Sequence, residues 1–451
     1  MANITLKQAA AWCGGQIDKK YENITFTGAN IDSRKLQPGQ LFVALVAARD
    51  GHDFIPGALE KGASAVLCNH ADSDFPAIVV EDTRIALGQI AAGLLGQMNP
   101  KIIGVTGSVG KSTTKEMIAA VLATQYKVSK TPANHNNDLG MPAAVLAMEE
   151  DSQVVVLEMG MSHFGEIEYL SRMAKPQIGV IINIGTMHIE NLGSQEGILQ
   201  AKLEITKGMD NSGKLLLYGD DSFLWGSREK LPVSAEYFGT ENKACEVRAE
   251  NVTETPEGIR YTACCQGGEF AVYLPLEGQH YVADSLAAIS VGLALGVTPE
   301  NIQKGLANFQ TMEGRQEIFE KNGCTVIKDC YNAGPESMEA ALKVLGKRAG
   351  RKIAVLGDML ELGSHSRDAH TKVGELASGY ADVLLCYGAE SVHMLQGAKN
   401  AGLTASQHYM DQGQMARDLK ALVRPGDVLL FKGSRGMKME NVLELFLQEE
   451  K

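Results

Sequence analysis

The sequence predicts an α/β protein of three units, spanning 1–98, 99–311 and 312–451, and three observations carry that prediction. From Lys101 onward, apolar strand-like runs alternate with helical stretches, which implies βαβ units and a parallel sheet. Residues 245–276 interrupt the alternation with three polar-alternating strands, read as an antiparallel insert. Near Met312–Gly314 the alternation restarts, which predicts a second, smaller, doubly wound sheet of Rossmann-like type.

Taken in order, the opening MANITLKQAAAWCGG reads as a short helix stopped at Gly14–Gly15. NITFTGANIDSR and GQLFVAL read as strands, ALEKGASAVLCN as a helix ending at Gly62 and then a strand, and IVVEDTRIALGQIAAGLLGQM as strand then helix. Together they form a small α/β unit, with Asn99–Pro100 as its seam. The central strands are KIIGVTG, VVVLEMG, IGVIINIG and KLLLYGD, and YVADSLAAISVGLALG is a strongly apolar helix that Gly296 ends. In the last unit the strands are TVIKDCYN, KIAVLGDM, ADVLLCYG and DVLLFKGS.

Bulk composition narrows the function classes. At 451 residues the chain is too long for one core. Hydrophobic residues at 45% and charged residues at 21% describe an ordinary globular chain. A net charge of −12 excludes the broad basic face that nucleic acid requires. Anionic ligands must therefore be held by local devices such as helix N-termini, a few cations and metal ions. No apolar run approaches the ~20 residues of a membrane span, and the N-terminus lacks the apolar core of a signal peptide. The eight cysteines form no CxxC pair and several sit in apolar runs, so reduced thiols and a cytoplasmic location are expected.

The sharpest local signal is IIGVTGSVGKSTTKEMI at 102–118, an apolar strand, a glycine-rich turn and a helix. The plain P-loop spacing requires Gly where Val105 stands, so that pattern is missed by one position. The chemistry survives in Thr106-Gly107-Ser108-Val109-Gly110-Lys111-Ser112-Thr113. Gly107 and Gly110 let backbone N–H groups crowd phosphate oxygens, and the helix N-terminus adds its dipole. Lys111 pairs with β/γ-phosphate charge, and the Ser112 hydroxyl can ligate Mg²⁺. Glu158 ends an apolar strand at the edge where α/β sheets bind ligands, and a carboxylate there suits Mg²⁺. His188 follows another strand; alone it reads as an ordinary satisfied histidine. Lys202, on composition, is an exposed helical lysine.

At this loop the chain resembles the Mur ligases, whose nucleotide motif carries the same short glycine spacing as TGSVGKSTTKEM. The family's other motifs follow in order: TPANHNNDLGMP (131–142), VLEMGMSHFGEI (156–167), NIGTMHIENLGS (183–194), AKLEI (201–205), GQHYVADSLAA (278–288), GRQE (314–317), KDCYNAGPESM (328–338), VLGDMLELG (355–363) and KGSRGMKME (432–440). Each string is weak alone; their number, order and spacing are specific. The resemblance implies an ATP-dependent ligase with an N-terminal UDP-substrate domain, a central ATPase domain and a C-terminal Rossmann-like domain. It implies ATP, two Mg²⁺, and a CO₂-derived carbamate on Lys202, with His188 as ligand of the second ion. Asn134, His135 and Asn137 would line the phosphate and substrate side, and Arg315 and Asp329 would reach ATP from the last domain. Asp284 and Tyr281 stand where the family commonly has Asn near adenine, which leaves those contacts open.

Acceptor and donor are read from the outer segments. Arg34 and Arg49 are candidates for the anionic parts of a UDP-sugar and His52 for a polar contact, with Ser33, Asp50 and Gly51 in the same substrate-binding set, and RDGHDF is similar to members that handle a tripeptide. Family matching gives Tyr331, Asn332, Lys432, Ser434 and Arg435 substrate or phosphate contacts. DCYNAGPESM followed by GDMLELG resembles the members that add D-alanyl-D-alanine to UDP-N-acetylmuramoyl-tripeptide, with Gly334 in place of Asn as one departure. The Asp-Asn-Pro-Arg string of the amino-acid adders is absent from this segment. The expected partners are those two substrates, and the expected state is a monomer. Rival readings are another Mur-type ligase, folylpolyglutamate synthetase and, from a different class, a regulatory P-loop NTPase. Whether the tripeptide ends in lysine or diaminopimelate is not written in the chain.

Overall fold

The structure is a computed structural model that describes residues 1–448. Near the N-terminus, Ile4–Thr5 pairs with Thr25–Phe26, and a four-stranded parallel sheet runs in the order Ala29–Asn30, Leu41–Val43, Ala65–Cys68, Ala77–Val79. The helix Thr83–Met98 closes this segment: Asp82 caps it by accepting from Arg84 N–H and Ile85 N–H, and Asn99 ends it in a left-handed conformation. One apolar cluster nevertheless runs from Ala2, Leu6 and Leu67 through Ile90 and Leu94 to Val155, Leu157 and Leu217, so the first segment and one face of the next sheet share a core.

The central sheet has nine strands. Lys101–Thr106 lies inside it, with Val154–Glu158 on one side and Ile178–Ile181 on the other, all parallel. The crossover between those two neighbours jumps over Lys101–Thr106, which makes its C-terminal end a switch point and opens a crevice there. Two strands lie outside the sequence reading, the edge strand Val128–Lys130 and Ser234–Gly239. The expected insert is antiparallel within itself, Val247–Thr255 against Gly258–Cys265 against Gly268–Leu274. It is not a separate layer, because Val247 pairs in parallel with Phe238 and extends the main sheet. The apolar helix His280–Ala294 lies over the second face with Ile118, Val121 and Leu122 of the phosphate-loop helix, and that packing brings its first turn to the crevice.

The last sheet has six strands, in the order Glu317–Lys321, Cys324–Asp329, Val428–Lys432, Lys352–Gly357, Val383–Tyr387, Ser406–Tyr409. Its first strand is antiparallel and joins the second through Asn322–Gly323, both at positive φ (54° and 73°), as a tight two-residue hairpin requires. The other strands are parallel, with helices on both faces. All eight cysteines are free thiols. Among the described residues no helix is long and apolar enough to cross a membrane.

Candidate active site

The phosphate loop starts from a buried strand and is shaped by what lies beneath it. Val105 is fully buried in register with Val180 and Glu158, so it belongs to the sheet, and the loop proper begins at Gly107. A Cβ on Gly107 would stand 3.2 Å from Ile182 Cβ. Gly110 has φ +83°, and a Cβ there would lie 2.7 Å from Asp284 Oδ1, so glycine is required for both conformation and space. Asn183, which the sequence reading passed over, holds the loop: its Oδ1 accepts from Ser108 N–H (2.9 Å) and Val109 N–H (3.0 Å), and its Nδ2 donates to Val109 O (3.0 Å). Lys111 Nζ folds back onto Gly107 O (2.8 Å) and Ser108 O (3.1 Å). Burial lowers its pKa, with Glu158 opposing and Arg315 assisting.

Glu158 is 2% exposed at the end of its strand. Its Oε1 accepts from Asn136 Nδ2 at 2.9 Å, and its Oε2 is buried with no partner. Lys115, one helical turn after Lys111 and given no role by the sequence reading, is fully buried; it donates to Thr131 O (2.6 Å) and stands 3.8 Å from that free oxygen. His188, at φ 64°, brings Nδ1 to 2.6 Å from Glu361 Oε2, and this contact holds the Glu361 carboxyl below its usual range. Lys202 contradicts the exposed-lysine reading: it is 2% exposed in the helix Gln195–Leu203. Its amine has no carboxylate partner among the described residues, and its pKa falls well below normal through burial and then the nearby Lys111 charge.

One cavity of about 690 Å³ gathers most of the predicted residues. Ser108, Val109, Gly110, Lys111, Ser112, Thr113, Asn134, Asn137, Glu158, His188 and Asp284 line it from the central sheet, and Arg315, Asp329, Tyr331, Asn332 and Lys432 from the last one. Arg315 Nη2 donates to Ser112 Oγ at 2.8 Å and its guanidinium stacks 4.0 Å over Tyr331, so the two sheets meet at the phosphate loop. Asp329 is paired with Lys432 at 2.6 Å, and Lys432 also donates to Asn332 O. Asp284 accepts from Thr114 Oγ1 (2.8 Å); burial raises its pKa to about 7 against the pull of Thr114 and Arg315. His280, also on the wall, is lowered to about 4 by burial.

Other predicted residues stand elsewhere. Thr106, at the end of its strand, Gly107, at the start of the loop, and Ser434 and Arg435 are not on the cavity wall. Ser434 is 4% exposed and joins two loops, accepting from Leu360 N–H (2.9 Å) and donating to Ala333 O (3.0 Å). Arg435 is exposed and pairs with Glu440. The N-terminal group forms a surface of its own: Arg34 forks onto Asp32, Asp50 caps the turn Gly51–Phe54, and His52 accepts from Asn69 N–H while stacking on His70 at 4.2 Å. Ser33 offers its carbonyl to Lys61, and Arg49 is exposed.

Residues 105–292 match the Mur ligase middle domain, 314–435 the Mur ligase glutamate ligase domain, and 25–95 the Mur ligase family catalytic domain. A curated relative from Bacillus subtilis (strain 168), UDP-N-acetylmuramoyl-tripeptide--D-alanyl-D-alanine ligase, is 39% identical over 98% of this chain and 98% of its own. The chain belongs to the Mur ligase family. This Mur ligase superimposes on a crystal structure of MurF from Acinetobacter baumannii with a TM-score of 0.92 at 32% identity, covering all of both chains. A MurF ligase from Thermotoga maritima in complex with ADP gives 0.82 at 30% identity over 93% of this chain and 97% of that one. Membership makes the chain an ATP-dependent ligase, and the glycine-lined loop with Lys111 is the part of the cavity suited to the triphosphate.

Proposed function

We propose that this Mur ligase joins D-alanyl-D-alanine to UDP-N-acetylmuramoyl-tripeptide in the cytoplasm, acting as a monomer of three units at 1–98, 99–311 and 312–451. The observation that carries the reading is the convergence, on one cavity, of the phosphate loop with the DCYNAGPESM segment of the last sheet. Lys111 and the N-terminus of the helix Lys111–Leu122 would hold and orient the triphosphate. The tripeptide carboxylate would take the γ-phosphoryl group, releasing ADP. The dipeptide amine would then attack the acyl carbon, the C–O bond to phosphate breaking as the C–N bond forms, with inorganic phosphate and a proton released. Loops from both sheets wall the cavity and would keep water from the acyl phosphate.

The residues fit Mg²⁺: the free buried Oε2 of Glu158, the Ser112 hydroxyl and the His188 ring are hard or borderline donors beside Lys111. When bound, the ions would neutralise the charge that develops on the transferring phosphoryl group. Ser112 would first have to release Arg315. The depressed pKa and missing carboxylate partner of Lys202 support its modification: a neutral amine adds to CO₂, forming a C–N bond and losing a proton, and the cation becomes an anionic ligand. The N-terminal residues Ser33, Arg34, Arg49, Asp50, Gly51 and His52 would receive the UDP-sugar, and Asn134, Asn137, Tyr331, Asn332 and Lys432 the reacting groups.

The test is purified protein with ATP, Mg²⁺, D-alanyl-D-alanine and either the lysine or the diaminopimelate UDP-tripeptide, followed by product mass. A UDP-pentapeptide is expected. Phosphate release without any amide product, or transfer of a single amino acid to a UDP-dipeptide, would refute the reading.

A further inference from the structure

The cavity is lined for anions, with Lys111, Arg315 and Lys432 on its wall. One acid on the same wall has no part in that scheme. Glu336 is the second residue of the helix Pro335–Gly346, and it reaches across to the loop that follows the strand Ile178–Ile181. Its Oε1 accepts from Thr186 N–H (2.8 Å) and Thr186 Oγ1 (3.0 Å). Its Oε2 is withdrawn from solvent and has no partner. A carboxylate oxygen in that condition is costly unless a donor arrives.

The surroundings are cut to admit this side chain. A Cβ on Gly185 would lie 2.9 Å from Glu336 Cδ. A Cβ on Gly334 would lie 2.3 Å from Met187 Sδ and 3.9 Å from Glu336 Oε2, so the Met187 thioether occupies the room beside Oε2 that a side chain at 334 would claim. Met187 also lines the cavity, and an unbranched thioether can change rotamer at little cost. Thr186 fixes one oxygen, the other is left buried and unpaired, and both Glu336 and the movable Met187 belong to the cavity wall.

We propose that Glu336 Oε2 receives the primary ammonium of the incoming dipeptide once Met187 moves aside, and so sets the affinity for that substrate. The proposal rests on the reaction proposed above. A primary ammonium has two sources there, the dipeptide and the diamino acid of the tripeptide. The dipeptide is favoured because Glu336 is anchored to Thr186, two residues from His188, on the wall of the cavity in which the proposed reaction would take place.

The Glu336→Gln variant keeps an oxygen for Thr186 and the side-chain volume while removing the charge. The expected result is at least a tenfold rise in KM for D-alanyl-D-alanine, with KM for ATP and for the UDP-tripeptide within twofold of the parent. An unchanged dipeptide KM overturns the proposal. A rise confined to the UDP-tripeptide assigns the carboxylate to the other amine, and equal rises for all three substrates assign it to domain contact; either result overturns it too. A second measurement needs only the parent enzyme: propionyl-D-alanine, which lacks the ammonium, is expected to compete with the dipeptide at least tenfold more weakly, and equal competition overturns the proposal. Pentapeptide formation by the parent, measured first, reports on the underlying reaction, and its failure would bring both down.

Discussion

His188 and Glu361 meet at 2.6 Å across two sheets, and both hold left-handed backbones, with φ of 64° and 63°. A non-glycine residue in that region costs on the order of 1 kcal/mol. Two such residues face each other where the two loops meet. Glu361→Gly would relieve one strained backbone and remove the carboxylate that orients the His188 ring. Thermal stability is therefore expected to hold or rise, while, if His188 has the metal-binding role proposed above, kcat/KM falls by roughly 10- to 100-fold, the usual range for loss of a group beside such a ligand. Calorimetry and steady-state kinetics on one preparation check this pair of outcomes. Loss of stability without loss of activity would contradict it.

Lys202 supplies the second prediction. Burial and the Lys111 charge lower its pKa, which favours the neutral amine that CO₂ needs. Protein exchanged into ¹³C-bicarbonate is expected to show a carbamate carbon resonance that is lost in Lys202→Arg, together with at least a hundredfold loss of pentapeptide formation. A full-activity arginine variant would remove the carbamate from the scheme.

Asp284 is expected to make nucleotide binding depend on pH. Its pKa is raised from 3.8 to about 7, with burial the leading cause. The folded protein thus keeps a proton between those values that the unfolded chain has released, so stability falls as pH rises through that window and the cost is fully present above about 7. The same ionisation places a negative charge 2.7 Å from where a Cβ on Gly110 would be, beneath the loop that receives a triphosphate. ATP is expected to bind more weakly at pH 8 than at pH 6 in the parent, and Asp284→Asn should flatten the difference. Parallel titrations of both proteins in the same buffers cancel the protonation of ATP itself.

Much of this site was legible because it rests on local patterns. The strand, glycine turn and helix around Lys111 announce a phosphate loop, and apolar runs mark the parallel strands that aim Glu158 and His188 at one crevice. The edge strands Val128–Lys130, Glu317–Lys321 and Ser406–Tyr409 escaped because short, half-exposed strands carry little apolar signal. For the second of them a signal did exist, the Asn322–Gly323 turn. Asn183 and Lys115 stand inside quoted motifs, but their roles depend on contacts with segments distant in the chain, so nothing local singled them out. Lys202 misled composition because its burial comes from the tertiary packing of its helix.

Ser434 tests where family matching and geometry part. Matching assigns it to substrate, yet its hydroxyl is 4% exposed and joins Leu360 N–H of the GDMLELG loop to Ala333 O of the DCYNAGP loop. Removing it leaves a part-buried amide and a buried carbonyl without partners, which costs ~1–3 kcal/mol. Ser434→Ala is expected to lose stability by that amount in urea unfolding. The two loops it links lead to Glu361 and Glu336, so kcat should fall through their loosening while KM for ATP, whose phosphate loop belongs to the central sheet, stays near the parent value. Ser434→Thr keeps the hydroxyl but adds a methyl group in a packed space, and it should recover part of the stability. A Ser434→Ala protein as stable as the parent, with only the UDP-substrate KM raised, would return the residue to the substrate role.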